Sequence, residues 1–136
     1  AAVHVYDLRG GKYLGQPRSF DTKLRWGRPN FYLALPYQLK GLKVAVNNAA
    51  PKRGGTVTAT VSLPQPAGAR EKLTVYVEVF TPAGDQPLWG RCVKVLSGGK
   101  AQVQVPVAYN DAAGTWRIKA TEPFSRLSAE AAWKLQ

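Results

Sequence analysis

Reactive side chains are scarce in this chain, and their identities limit the chemistry it can hold. His4 is its one histidine and Cys92 its one cysteine. Zinc and iron centres need several nitrogen or sulfur ligands, so no metal site is expected and no cofactor is implied. A serine nucleophile would need His4 as its base, with Ser19, Ser62, Ser97, Ser125 or Ser128 attacking, yet no Gly-x-Ser-x-Gly elbow presents any of them. Glycoside hydrolysis needs two carboxylates across a cleft, one of them holding a proton. The eight acidic residues fall mostly in turn sequences or at outward strand positions. Asp85 and Asp111 read as turn formers whose side chains bond nearby amides, and Asp111 with Asn110 offers too few oxygens for calcium. Gly54-Gly55 and Gly98-Gly99 read as turns, since neither leads into the Gly-Lys-Ser/Thr ending of a phosphate loop. These residues predict a protein that is not an enzyme.

Aromatic and arginine side chains are the remaining candidates, because exposed flat rings stack on sugars and protein interfaces enrich Trp, Tyr and Arg. Trp116 and Trp133 fit core positions. Trp26 and Trp89 each stand beside Gly and Arg at an expected strand end, in Arg25-Trp-Gly-Arg28 and Leu88-Trp-Gly-Arg91. Trp26, Trp89, Tyr6, Tyr13, Arg25, Arg28 and Arg91 are therefore the candidate contact surface.

The elements that must position these residues are strands. Apolar residues alternate at period two almost continuously from Leu42 onward, and helical spacing is nowhere sustained. Val57, Ala59, Val61 and Leu63 share one face; Leu73, Val75, Val77 and Val79 share another; Trp116, Ile118 and Ala120 form a third row. Turn sequences at 51–55, 64–68, 82–85, 97–100 and 110–114 separate the runs, with 97–100 read as a tight hairpin connection. Strands are expected at 42–46, 57–63, 73–80, 88–96, 101–107, 115–121 and 127–135. Seven short strands at this spacing predict a Greek-key sandwich of the immunoglobulin or fibronectin III kind over residues 41–136. Residues 1–40 differ, with expected strands at 3–9, 19–26 and 31–35 forming a short β-meander. Three strands with so many aromatics need another surface, so this segment is expected to complete or dock on another domain or subunit, or to pack on the sandwich.

Lys and Arg number 19 against 8 Asp and Glu, a net charge of +11. Seven cations and two acids fall in residues 1–40, so the meander is the more densely charged part. Such a surface suits anionic partners, but Lys52-Arg53 is the one adjacent basic pair, and dedicated nucleic-acid binding is not expected. One cysteine forms no internal disulfide, and Cys92, within an expected strand, reads as a small core residue. No apolar run approaches membrane-spanning length and no glycosylation sequon occurs. The Ala1-Ala2 start and the absence of Met read as a processed or excised product, for which a removed secretion signal remains open.

Residues 5–15 (VYDLRGGKYLG), 31–37 (FYLALPY) and 41–44 (GLKV) together resemble the C-terminal β region of large secreted bacterial proteins related to glycoside hydrolases, of planctomycete type. Residues 107–116 (VAYNDAAGTW) are similar to a corner and strand of the Ig-like module that follows that region. The resemblance covers most of the chain through turn and core residues, and implies an accessory sandwich without catalytic residues, secreted or at the cell surface. The leading expectation is a non-catalytic structural or interaction module whose partner is a neighbouring protein domain or subunit. The alternatives are a carbohydrate-binding module that takes polysaccharide on an aromatic face, and a self-assembling fibre subunit that donates strands to its next copy.

Overall fold

Alternating side chains become alternating burial in the computed structural model of the chain, which describes residues 2–136 and leaves Ala1 outside the described residues. Its ten strands are β1 (His4–Asp7), β2 (Lys12–Gly15), β3 (Tyr32–Leu35), β4 (Lys43–Val46), β5 (Thr56–Ser62), β6 (Thr74–Phe80), β7 (Arg91–Val95), β8 (Lys100–Pro106), β9 (Gly114–Thr121) and β10 (Ser128–Leu135). All pairing is antiparallel: one sheet runs β2-β1-β3, a second β4-β5-β8, a third β10-β9-β6-β7. The chain is thus all-β, with a β-sandwich built from the second and third sheets.

The sandwich core follows from the alternation. Val57, Ala59 and Val61 on β5, Val75, Val77 and Val79 on β6, and Ile118 and Ala120 on β9 are buried, while the Thr and Ser between the β5 positions stay part-exposed. Burying each such branched side chain contributes about 1.5–3 kcal/mol, and the β-branch is also at ease in extended backbone. Trp116 and Trp133 sit directly opposite each other across β9 and β10, their rings 6.2 Å apart and nearly parallel. Trp89 extends the stack from the other side of Trp116, at 6.3 Å.

Three elements depart from expectation. β2 forms where the sequence suggested only a separator, pairing β1 across the Gly10-Gly11 turn. Residues 19–26 are not a strand. Their alternation offers side chains of the right kind, but Leu24 and Trp26 find no surface to bury against, and the segment's own pairing is limited to the Arg25–Arg28 bridge. The strand expected from residue 88 begins at Arg91, because the Gly90 amide donates to Pro87 O at 2.8 Å and makes residues 87–90 a turn. The Ser97–Lys100 turn does form, with Gly98 and Gly99 at φ 57° and 74°, both in the region that favours glycine. Its flanking strands nevertheless diverge into different sheets, β7 beside β6 and β8 beside β5.

The meander lies on the sandwich of its own chain. Tyr6, Leu35 and Leu39 join the same buried cluster as Val57, Val77 and Ile118. Tyr6 is 1% exposed, and its hydroxyl accepts the Leu39 amide proton at 2.6 Å. On the far side the Arg126 guanidinium reaches Leu8 O at 3.5 Å. Burial pushes the Tyr6 phenol above its ordinary pKa, against the opposing effect of the Leu39 hydrogen bond. The unfolded chain therefore releases this proton first, and the folded state loses stability as pH rises above about 10, through the unfolded value toward the raised folded one. Tyr6→Phe should lower stability by about 1–3 kcal/mol at neutral pH, because the buried Leu39 N–H loses its acceptor. It should also flatten the alkaline end of a urea-midpoint against pH curve; a wild-type curve already flat there contradicts the placement of Tyr6.

Candidate functional site

Between β2 and β3 the chain makes an excursion over residues 16–31 that side chains hold in shape. The Phe20 and Tyr32 rings pack with centroids 4.9 Å apart, and the Tyr32 hydroxyl hydrogen-bonds Thr22 Oγ1 at 2.5 Å. Asn30 then clamps the two arms together: its Nδ2 donates to Thr22 Oγ1 at 2.8 Å and to Lys23 O at 3.2 Å. The excursion closes in a tight turn, where the Arg28 amide donates to Arg25 O at 3.1 Å. Gly27 takes φ 68° there, the positive φ that the third residue of a type II turn requires.

This construction puts Trp26 at the tip, fully exposed, with Leu24 84% exposed beside it on the same arm. It also gathers charge. The register of β1 on β3, extended by the Leu8 amide donating to Phe31 O at 2.9 Å, carries Arg9 alongside Asn30. Arg9, Lys23, Arg25, Arg28 and Asn30 line one cavity of about 110 Å³. No carboxylate lines it, and the one ion pair among the described residues, Arg117 with Glu130 at 3.9 Å, lies on other strands. Four like charges without a counter-charge attract an anion, and three guanidinium forks suit a carboxylate or another planar oxyanion.

The remaining candidates scatter. Tyr6 is unavailable to any partner, because it fills the seam between meander and sandwich; its expected place on the contact surface is corrected by that burial. Tyr13 is 40% exposed, its ring 5.0 Å from Tyr6 and its hydroxyl bonded to His4 Nδ1 at 2.5 Å. The other His4 nitrogen meets Gln16 Nε2 at 3.0 Å, so the imidazole has both nitrogens engaged within the meander. Trp89 and Arg91 line a separate cavity of about 410 Å³ between β7 and β8, with Cys92 and Lys94. There Trp89 is half-exposed and stacked on Trp116, which makes it as much a rim of the core as a surface. Arg25, Trp26 and Arg28 are thus brought together, and Trp89 and Arg91 form another place.

Sequence reasoning missed Arg9, Lys23 and Asn30. The first stands 16 residues before Arg25 in the chain and joins it through the pairing of β1 with β3, which no local pattern reveals. Asp111 behaves as expected of a turn former, its Oδ2 accepting the Ala108 amide at 2.8 Å. Glu122 is an exception to the turn and outward positions expected of most acidic residues: it is buried. No helix among the described residues is long and apolar enough to cross a membrane.

No family model matches the chain, and no curated protein matches it. Among solved structures it is similar to the Pseudomonas fluorescens alkylpurine DNA glycosylase AlkC bound to DNA containing an abasic site analog. The identity is 16% and the TM-score 0.46, over 73% of this chain and 30% of that one. The chain spans under a third of that protein's length, and so slight a likeness bears on neither fold family nor activity.

Proposed function

We propose that this chain is a non-catalytic interaction module: an immunoglobulin- or fibronectin III-like Greek-key sandwich that presents its N-terminal meander to a neighbouring protein domain or subunit. The strand orders β4-β5-β8 and β10-β9-β6-β7 support the fold assignment, since they match the A-B-E and G-F-C-C′ sheets of such sandwiches. The role agrees with the accessory sandwich that the resemblance implies, in a secreted or cell-surface setting.

One observation carries the functional reading. Of the twelve large apolar side chains exposed among the described residues, six lie in the first 31 residues: Val3, Tyr13, Phe20, Leu24, Trp26 and Phe31. Single exposed apolar residues are ordinary on a folded surface, but such a density over the meander and its connecting segment is what a surface covered by another protein would carry.

A displayed random-peptide library selected against the intact chain tests this, because peptides collect on a protein's own contact surface. Enriched peptides should lose binding to a Leu24→Ser/Trp26→Ser double variant and keep it on Arg91→Glu. Enrichment that instead depends on Arg91, or that ignores both changes, moves the contact surface off the meander.

The strand-donation alternative has an observation of its own: β7 is an edge strand on which Val93 and Val95 are 54% and 55% exposed. Arg91 and Lys94 on the same strand oppose edge-to-edge pairing. Sedimentation that stays monomeric at high protein concentration removes that alternative.

A further inference from the structure

We infer that the Arg25–Arg28 turn is the centre of the contact, and that the partner presents an apolar pocket for Trp26 rimmed by carboxylates that enter the cavity between Arg9, Lys23, Arg25 and Arg28. This rests on the interaction-module reading above and adds the chemistry of the partner.

Two features of the hairpin must be satisfied together. Trp26 and Leu24 expose apolar surface that only an apolar receptor covers favourably. The four cations lie at the base of the same hairpin, lining a cavity with no acid in it. Trp and Arg are among the residue types that carry most of the binding energy at protein interfaces, where they sit in well-packed, desolvated pockets. A nucleic acid or a sulfated polysaccharide would answer the charge and could stack on Trp26, yet it would leave Leu24 and Phe31 uncovered. A second copy of this chain leaves the cations unanswered, because a net charge of +11 sets copies against each other. An acidic protein surface with an apolar centre answers both.

The rigidity of the hairpin argues the same way. Asn30, Thr22, Tyr32 and the Arg28–Arg25 backbone bond hold the arms in place before any partner arrives. A tip already ordered loses little conformational freedom on docking. Trp26 itself touches nothing that would hold it against its own surface, so its exposure is not incidental to packing.

The test uses three synthetic peptides sharing a Leu-Phe centre, flanked by Glu, by Gln or by Lys, titrated into the full isotope-labelled chain. The four tryptophan indole N–H signals are the readout, since Trp26 alone among them is fully exposed. The Glu-flanked peptide should shift the Trp26 indole signal and leave those of Trp116 and Trp133 in place. It should bind about ten-fold or more tightly than the Gln-flanked peptide, weakening as salt is added. Trp26→Ala should weaken it by a similar factor. Replacing all four cations (Arg9→Glu/Lys23→Glu/Arg25→Glu/Arg28→Glu), which leaves four carboxylates around the cavity, should invert the order, so that the Lys-flanked peptide now binds best. That inversion separates a specific charge pairing from general attraction to a basic protein. Unchanged near-ultraviolet circular dichroism from the buried Trp116 and Trp133 pair reports that each variant is folded.

Equal binding of the three peptides, no shift at Trp26, or no inversion overturns the proposal. So does an oligothymidylate or heparin that shifts Trp26 as strongly as the Glu-flanked peptide at physiological salt. Should library peptides still depend on Leu24 and Trp26 while showing no acidic preference, the partner chemistry fails and the interaction module stands. Should library binding map away from the meander altogether, both fail.

Discussion

Trp116→Ala should destabilise the chain by about 3–5 kcal/mol, the usual cost of emptying a large aromatic site in a packed core. Trp116 is 4% exposed, lies between Trp89 and Trp133 in a three-ring stack, and donates its Nε1–H to Ala112 O at 3.0 Å. Alanine removes both ring contacts and leaves that carbonyl without its donor. The cavity would open beneath β9 and β10, whose register sets Trp116 against Trp133. For a domain whose whole stability is of order 5–15 kcal/mol, a loss of this size brings it near unfolding at body temperature. Urea titration followed by far-ultraviolet circular dichroism should show the midpoint falling at unchanged slope. A loss below about 1 kcal/mol means that Trp116 is not the centre of the sandwich.

Glu122→Ala should cost about 2–4 kcal/mol, although Glu122 touches no cation. Its carboxylate is the organiser of the β9–β10 connection. Oε1 accepts the Phe124 amide at 3.1 Å, and Oε2 accepts both the amide and the hydroxyl of Ser125 at 2.6 Å. The backbone closes around it, with the Glu122 amide donating to Leu127 O at 2.9 Å and the Arg126 amide to Glu122 O at 3.0 Å. Alanine leaves the part-buried Phe124 and Ser125 donors without their acceptor. Glu122→Gln keeps one acceptor oxygen and turns an N–H₂ toward the other donors, so it should lose an intermediate amount.

A second readout distinguishes this from a general loss of packing. Arg126 holds φ 60°, a conformation rarely adopted by non-glycine residues, and its side chain packs on Gly11 in the meander. Loosening the turn should therefore free the meander: amide exchange in β1 and β2 should quicken in Glu122→Ala even where β5 and β6 remain protected. Equal acceleration across all strands counts against this role. The consequence reaches the proposed interaction surface, because the meander carries the Trp26 hairpin and Glu122 helps to keep it seated.

The sandwich strands were legible in the sequence because strand geometry is local. Successive side chains point to opposite faces, so the rows Val57-Ala59-Val61, Val75-Val77-Val79 and Trp116-Ile118-Ala120 declare their buried side without knowledge of any partner. Turn chemistry is equally local, and Asp111 and Gly98-Gly99 act as their residue types require. What alternation cannot supply is a ladder to pair with. Residues 19–26 carry a strand-like pattern and fold as an irregular arm, whose Leu24 and Trp26 find nothing to bury against.

The candidate site was half legible. Arg25, Trp26 and Arg28 stood out as residue types at a turn, while Tyr6, equally aromatic and equally close to charge, went to the seam with Leu39. Nothing within a few residues of either aromatic distinguishes the two fates, since burial is decided by whatever the chain lays over them 30 or more residues later. Arg9 joins Lys23 and the arginines only through the register of β1 on β3, and Glu122 becomes a buried acceptor only when its turn wraps it. By itself the sequence determined which residues prefer extended backbone, which side each strand buries, and that tryptophan stands beside glycine and arginine at 25–28 and 88–91. Tertiary structure alone decided that four cations meet at the Arg25–Arg28 turn while Trp26 stays in solvent, because charge adds through space and not along the chain.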